Sequence, residues 1–205
     1  RSAICLFARR DDTRALLMKM LVGSRLFVEN ELMLSALIER STVLRLAGDK
    51  ETRILLLQLL LDSPDLLRNE GVCKALTASP TSETGEYRNL NAFWWFAFGL
   101  ETCALFLKML TDCPDLFSNE SVFRALTELS VEGSFQNRGL IWEATHNVYR
   151  SDYHAHKLIF IAFMERLIDI PGLLNNDSMV AALTALPVGD YVNESVVWYL
   201  ASDKD

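Results

Sequence analysis

Apolar residues run almost without interruption through RILLLQLLL (53–61) and CALFLKML (103–110), with no Gly, no Pro and no alternation with polar positions. That density predicts α-helices buried on most of their sides rather than half-buried strands. The runs stop at Ser63-Pro64 and Cys113-Pro114, and a third stops at Ile170-Pro171. Proline cannot continue a helix without losing a backbone hydrogen bond, so Pro64, Pro114 and Pro171 mark a helix end followed by a turn or short 3₁₀ segment. Each turn closes on an asparagine followed by an acid: Asn69-Glu70, Asn119-Glu120 and Asn176-Asp177, with Asn30-Glu31 earlier in the chain. Asn accepts a hydrogen bond from a free N–H at a helix start, and an acid in the first turn sits in the positive end of the helix dipole. A short second helix then runs through Ala75-Leu76, Ala125-Leu126 and Ala182-Leu183.

This recurrence is a sequence repeat. Residues 51–77 laid on 101–127 without a gap are identical at 15 of 27 positions. The template returns in 172–184 and, more faintly, in 26–37, so four copies are spaced by 39, 50 and 57 residues, with cores near 13–38, 51–77, 101–127 and 158–184. Self-similarity at such periods is the mark of stacked supersecondary units. A third segment precedes each later copy or follows the last: STVLRLAG (41–48), YRNLNAFWW (87–95), NRGLIWEA (137–144) and YVNESVVWYL (191–200). The expected fold is therefore all-α, a right-handed α-solenoid-like stack of about four irregular three-helix repeats forming a single domain over residues 1–205.

Composition narrows the function classes. Half of the 205 residues are apolar, enough for a sizeable core, and 20 basic against 27 acidic residues leave no Lys/Arg stripe suited to a run of phosphates. Nucleic acid is thus not the expected partner. The apolar stretches around 92–100 and 158–164 fall well short of the roughly 20 residues a bilayer span needs, so no membrane insertion is expected. Cys5, Cys73, Cys103 and Cys113 follow no metal-ligand spacing and sit within or beside apolar helical patterns, as expected of free thiols in the cytoplasm or another reducing compartment. The chain opens on Arg1 and ends on SDKD, which reads as a segment of a longer protein.

Candidate chemistry is sparse. Asp65, Asp115, Glu70 and Glu120 recur in equivalent places, whereas a catalytic carboxylate needs one particular environment, so capping and turn roles are expected of them. The copies differ in their insertions, ASPTSETGEYRNL (78–90), ELSVEGSFQNRGL (128–140) and ALPVGDYV (185–192). Insertions at equivalent places of stacked helices collect along one edge and commonly bind partners, which nominates Tyr87, Arg88, Phe135, Gln136, Asn137, Arg138 and Tyr191. The competing reading makes them spacers, with Phe135 anchoring its own loop.

The run AFWWFAF (92–98) points aromatic rings all around a helix axis. Trp94 pairs with Trp198 through a shared Tyr-x-Asn lead-in and is assigned to the core. Trp95 falls opposite Thr145 and is nominated as an exposed anchor, against the alternative that it packs into a neighbouring repeat. His146, His154 and His156 cluster in sequence, but the H-x-H spacing splits two rings between helix faces and no Cys or carboxylate completes a ligand set, so no metal or cofactor is expected. No nucleophile, phosphate-loop or dinucleotide motif appears, and enzymatic activity is not expected, with His146–His156 the one region where a site is conceivable.

Three helices per unit, a first unit near 39 residues, and buried helices joined by Pro and Asn turns resemble the armadillo and HEAT class of α-solenoids. The likeness spans nearly the whole chain but departs from the class in its long insertions and in units of 50 and 57 residues. The resemblance implies a scaffold that holds a protein or peptide partner. The alternative is a structural or regulatory helical arm of a larger multidomain protein, such as a host-directed bacterial effector acting in host cytosol, with its chemistry elsewhere.

Overall fold

The repeated phrases of the sequence fold into helices that recur in one order: a short opening helix, a long helix and a second short helix, with a tight turn before the last of these from the second set on. The computed structural model describes residues 3–24, 30–78, 91–129, 138–149, 154–187 and 194–202, and the chain is all-helical there. The first set is α1 (Ala3–Arg9), α2 (Asp11–Gly23) and α3 (Glu31–Leu37). The second is α4 (Arg40–Gly48), α5 (Lys50–Asp62), the one-turn α6 (Asp65–Arg68) and α7 (Glu70–Thr77). The third is α8 (Ala92–Phe98), α9 (Leu100–Asp112), a 3₁₀ turn at Pro114–Ser118 and α10 (Glu120–Thr127). The fourth is α11 (Leu140–Tyr149), α12 (His154–Asp169), a 3₁₀ turn at Leu173–Asn175 and α13 (Asp177–Thr184), after which α14 (Val196–Ser202) follows as one more short helix. Among the described residues there is no strand, only an isolated antiparallel bridge between Leu129 and Gly139.

The polar residues of the repeated phrase bond to backbone. The side chains of Asn69 and Asn119 accept from the N–H of Val72 (3.2 Å) and Val122 (3.1 Å), Asn176 accepts from Ser178 and Met179, and Asn30 from Leu32. At the other end of the short helix, Thr77, Thr127 and Thr184 donate to the carbonyls of Cys73, Phe123 and Val180, four residues back. The Ala-Leu pairs are buried in every copy, including Ala36-Leu37. Pro64 precedes the first turn of α6, Pro114 opens its 3₁₀ turn, and Pro171 precedes Gly172, whose φ of 75° is the left-handed conformation that favours glycine.

A single extended residue, Arg10, Asp49 or Gly99, separates the opening helix from the long helix in the first three sets. So sharp a corner exposes the last carbonyls of the opening helix, which need donors. Thr13 Oγ1 donates to Phe7 O at 2.8 Å and Thr52 Oγ1 to Leu46 O at 2.7 Å. The next residue repeats the reach: Arg14 Nε donates to Ala8 O at 2.9 Å and Arg53 Nε to Ala47 O at 2.7 Å. In the third set Thr102 stays, bonded to Gly99 O, and buried Cys103 stands where the arginine would be. The opening α1, which the sequence reading left unassigned, is thus joined to α2 as α4 is to α5.

Backbone contacts group the chain into two compact units, Arg1–Phe96 and Ala97–Asp205, with the division inside α8, where the sequence reading takes 1–205 as one domain. In the first unit, long helix α2 packs on long helix α5, opening helix α1 on opening helix α4, and α4 bridges to α7. In the second, α9 packs on α12, α10 on α13 and α11 on α14, with α11 central and touching α9, α10, α12 and α13 as well. The cores are built accordingly, from Met18, Leu21, Leu46, Leu57 and Leu60 in one unit and from Phe106, Leu126, Trp142, Phe163 and Met179 in the other. The long helices α5 and α9 keep the same polar stripe in solvent, Glu51, Gln58 and Asp62 in one and Glu101, Lys108 and Asp112 in the other.

Arg53 carries the largest share of these corner bonds. It is 8% exposed, its Nη1 donates to Trp95 O at 2.9 Å and its Nη2 to Gly48 O at 3.3 Å. Arg53→Met keeps the length and strands three carbonyls, so urea unfolding is expected to show a loss of about 2–4 kcal/mol. Arg68→Met, which removes the exposed pair with Asp65, should stay within about 0.5 kcal/mol of the parent.

Candidate functional site

Of the residues nominated for partner contact, Tyr87, Arg88, Phe135, Gln136 and Tyr191 lie outside the described residues, as does Asn137, while Trp95 and Arg138 lie within them. Trp95 is half-buried, with the Arg53 guanidinium 5.3 Å from its ring centroid. Arg138 stands at 5.1 Å over the ring of Trp142. Both nominated side chains thus belong to Arg–Trp stacks at opening helices, an arrangement that holds a planar cation against an apolar ring. Helix starts also change one pairing: Trp95 is the fourth residue of α8 and so corresponds to Glu143 in α11 and Tyr199 in α14, not to Thr145. Trp94 and Trp198 do match, each with its amide bonded to a capping side chain, Asn91 and Ser195. Their surroundings differ, since Trp94 is buried and Trp198 is 40% exposed.

The densest polar cluster lies in the second unit, around α11 and the start of α14. Tyr199 Oη donates to Glu194 Oε2 at 2.7 Å and lies 2.5 Å from His146 Nδ1. With the tyrosine proton directed at the carboxylate, that contact requires Nδ1–H to donate, so the Nδ1 nitrogen carries a proton. The imidazole is stacked on Trp142, centroids 4.6 Å apart, and Trp142 Nε1 donates to the carbonyl of Glu194. Tyr199 also meets the ring of Tyr149 at 4.7 Å, and Lys157 covers Tyr149 from α12. His146 and Tyr199 are buried, so these bonds fasten α14 to α11 from inside.

Beside it sits Glu143, buried at 5% exposure. Its Oε1 accepts from Asn147 Nδ2 at 3.3 Å, while its Oε2 is buried without a hydrogen bond. Desolvation raises its pKa above the ordinary carboxyl range, against the opposing pull of Arg138 and of the Asn147 bond. Burial likewise pushes the Cys103 thiol up to about 12, with Glu143 adding to the rise, so this sulfur is an inert core group rather than a nucleophile. Cys73 is buried and shifted the same way, with its thiol bonded to Leu67 O.

His146 is turned into the cluster just described, and His156 lies on α12, near the start of that helix. No group of three or more His, Cys, Asp or Glu side chains suited to a metal comes together among the described residues. Asp65 and Glu70 are exposed and paired along their own helices with Arg68 and Lys74. No single described helix is long and apolar enough to cross a membrane.

The feature sequence reasoning passed over is a set of uncovered aliphatic side chains on α12: Leu158 at 52%, Ile161 at 39% and Ile168 at 66% exposure. Their spacing of three and seven places them on one side of the helix. The apolar run LIFIAFM carried that signal, but density alone does not say which side is left bare. No protein-family model, no curated protein and no solved structure matches this chain.

Two measurements follow from the buried groups. Because burial makes the folded chain hold the Glu143 proton more tightly than the unfolded one, this group's contribution falls as pH rises from the ordinary carboxyl range through the raised native value. Glu143→Gln should therefore gain stability relative to the parent in thermal melts as pH rises above the ordinary carboxyl range. Tyr199→Phe should cost about 1–3 kcal/mol in urea and speed amide exchange in α14, since it leaves His146 and Glu194 without their shared partner.

Proposed function

We propose that this chain is a protein–protein interaction scaffold of the armadillo and HEAT kind, an α-solenoid-like stack of about four irregular three-helix repeats. It binds a protein or peptide partner through its inserted loops and the helices beside them. The observation that carries this reading is the packing of like on like: α2 on α5 and α1 on α4 in one unit, α9 on α12, α10 on α13 and α11 on α14 in the other. Repeats stacked in register generally bring their insertions to one edge, and an edge of variable loops on a fixed frame suits recognition.

The two nominated residues that hold the frame should be separated from those that do not. Trp95 and Arg138 take part in stacks, so replacing either costs stability as well as contact. A fair test changes only loop positions: Tyr87→Ala, Arg88→Ala, Gln136→Ala and Tyr191→Ala in one protein, shown folded by circular dichroism. A partner captured by the parent, identified by mass spectrometry and then purified, should bind the variant at least about tenfold more weakly in calorimetry. Equal affinity would remove the loop edge from the interface.

A further inference from the structure

In the first three sets an alanine stands two residues before the extended corner residue: Ala8 before Arg10, Ala47 before Asp49 and Ala97 before Gly99. All three are at 0% exposure. Two of their carbonyls accept from the long helix that follows the corner, Ala8 O from Arg14 Nε and Ala47 O from Arg53 Nε. The buried alanine is thus a signature of a corner at which a long helix has folded back.

The end of α14 repeats that phrase. LASDKD (200–205) lies on LAGDKE (46–51) with Leu, Ala, Asp and Lys identical and Asp in place of Glu. In the earlier copy Asp49 is the corner, and its side chain accepts from Thr52 N at 3.0 Å in the first turn of α5. The start of α14 also matches an earlier opening helix: Ser195 Oγ accepts from Trp198 N as Asn91 Oδ1 accepts from Trp94 N. Its packing agrees, α14 on α11 as α1 on α4. One thing differs. Ala201, the counterpart of Ala8, Ala47 and Ala97, is exposed.

A second surface is bare in the same way. Within each unit a long helix packs on the long helix of the set before, α5 on α2 and α12 on α9. On α9, Ala104 is 5% exposed and Thr111 half-buried, whereas their counterparts on α12, Ile161 and Ile168, are 39% and 66% exposed. A long helix entered from the end of α14 would account for both surfaces at once.

We propose that α14 is the opening helix of a fifth set: the chain turns at Asp203 and continues into a long helix that covers Ala201 and runs along Leu158, Ile161 and Ile168. This rests on the repeat reading given above and names the occupant of the outer side of α12 as a segment of the same chain. Asp203 lies outside the described residues, and its role follows from the phrase it shares with Asp49. The corners also set what comes next, since Thr13, Thr52 and Thr102 each stand three residues after the extended residue.

The coding sequence beyond Asp205 gives the first test. It should place threonine or serine immediately after Asp205 and then an apolar run of about ten residues at helical density. A stop codon at that point, or a polar continuation, overturns the proposal. The second test joins residues 52–77 directly after Asp205, so that LASDKD is continued as LAGDKE is. Amide exchange in α12 and α14 should slow at least about tenfold, in a protein that sedimentation shows to be monomeric. Ala201→Glu should leave exchange in the 205-residue protein within about twofold of the parent and abolish the slowing in the extended one. Exchange that the extension does not change, or slowing that survives Ala201→Glu, overturns the proposal as well. Neither test involves Tyr87 or Tyr191, so the loop-edge experiment is decided separately.

Discussion

The corner between each opening helix and its long helix is the constraint on which the rest of the architecture rests. One extended residue turns the chain, and the helix before it ends with carbonyls that need donors, buried at the second corner and more open at the first. Thr13 with Arg14, and Thr52 with Arg53, answer that demand by donating to carbonyls six residues earlier. An unmade hydrogen bond at a buried carbonyl costs more than a made one contributes, so a corner of this kind fixes its geometry strongly. Where Cys103 stands in place of the arginine, the threonine bonds to Gly99 O and a buried thiol occupies the arginine's position.

From these corners follows the way in which equivalent helices meet. A hairpin of fixed shape presents the same faces each time, so α5 finds α2 and α12 finds α9, and apolar sides are consumed in pairs. In the second unit α14 is fastened to α11 by buried Tyr199 and His146 with part-buried Glu194, while α12 keeps Leu158, Ile161 and Ile168 exposed. Polar satisfaction at one position and apolar exposure at the next are two outcomes of the same packing rule.

Much of the frame was legible in advance. Pro64 and Pro114 stop their helices because the ring excludes an amide hydrogen. Asn69, Asn119 and Asn176 start the next helices because a short carbonyl side chain reaches the free N–H groups; both effects are local and need no knowledge of the fold. The opening helix α1 escaped notice because its short apolar run has no close copy, although the Thr-Arg pair after it matches Thr52-Arg53 at the 39-residue spacing. The relation of Trp95 to Glu143 was misplaced because the insertions differ in length, and sequence alignment across unequal loops does not know where a helix begins.

Sequence alone determined the helical class, the recurring order of long helix, turn and capped short helix, and the structural purpose of the repeated phrase, because propensity, periodicity and capping act within a few residues. Tertiary structure alone decided which carbonyls Arg53 reaches, that Tyr199 and Glu194 meet His146 about fifty positions away, and which side of α12 stays uncovered. Those outcomes depend on which helices pack against which, and an apolar residue in a dense run looks the same whether a neighbour covers it or not.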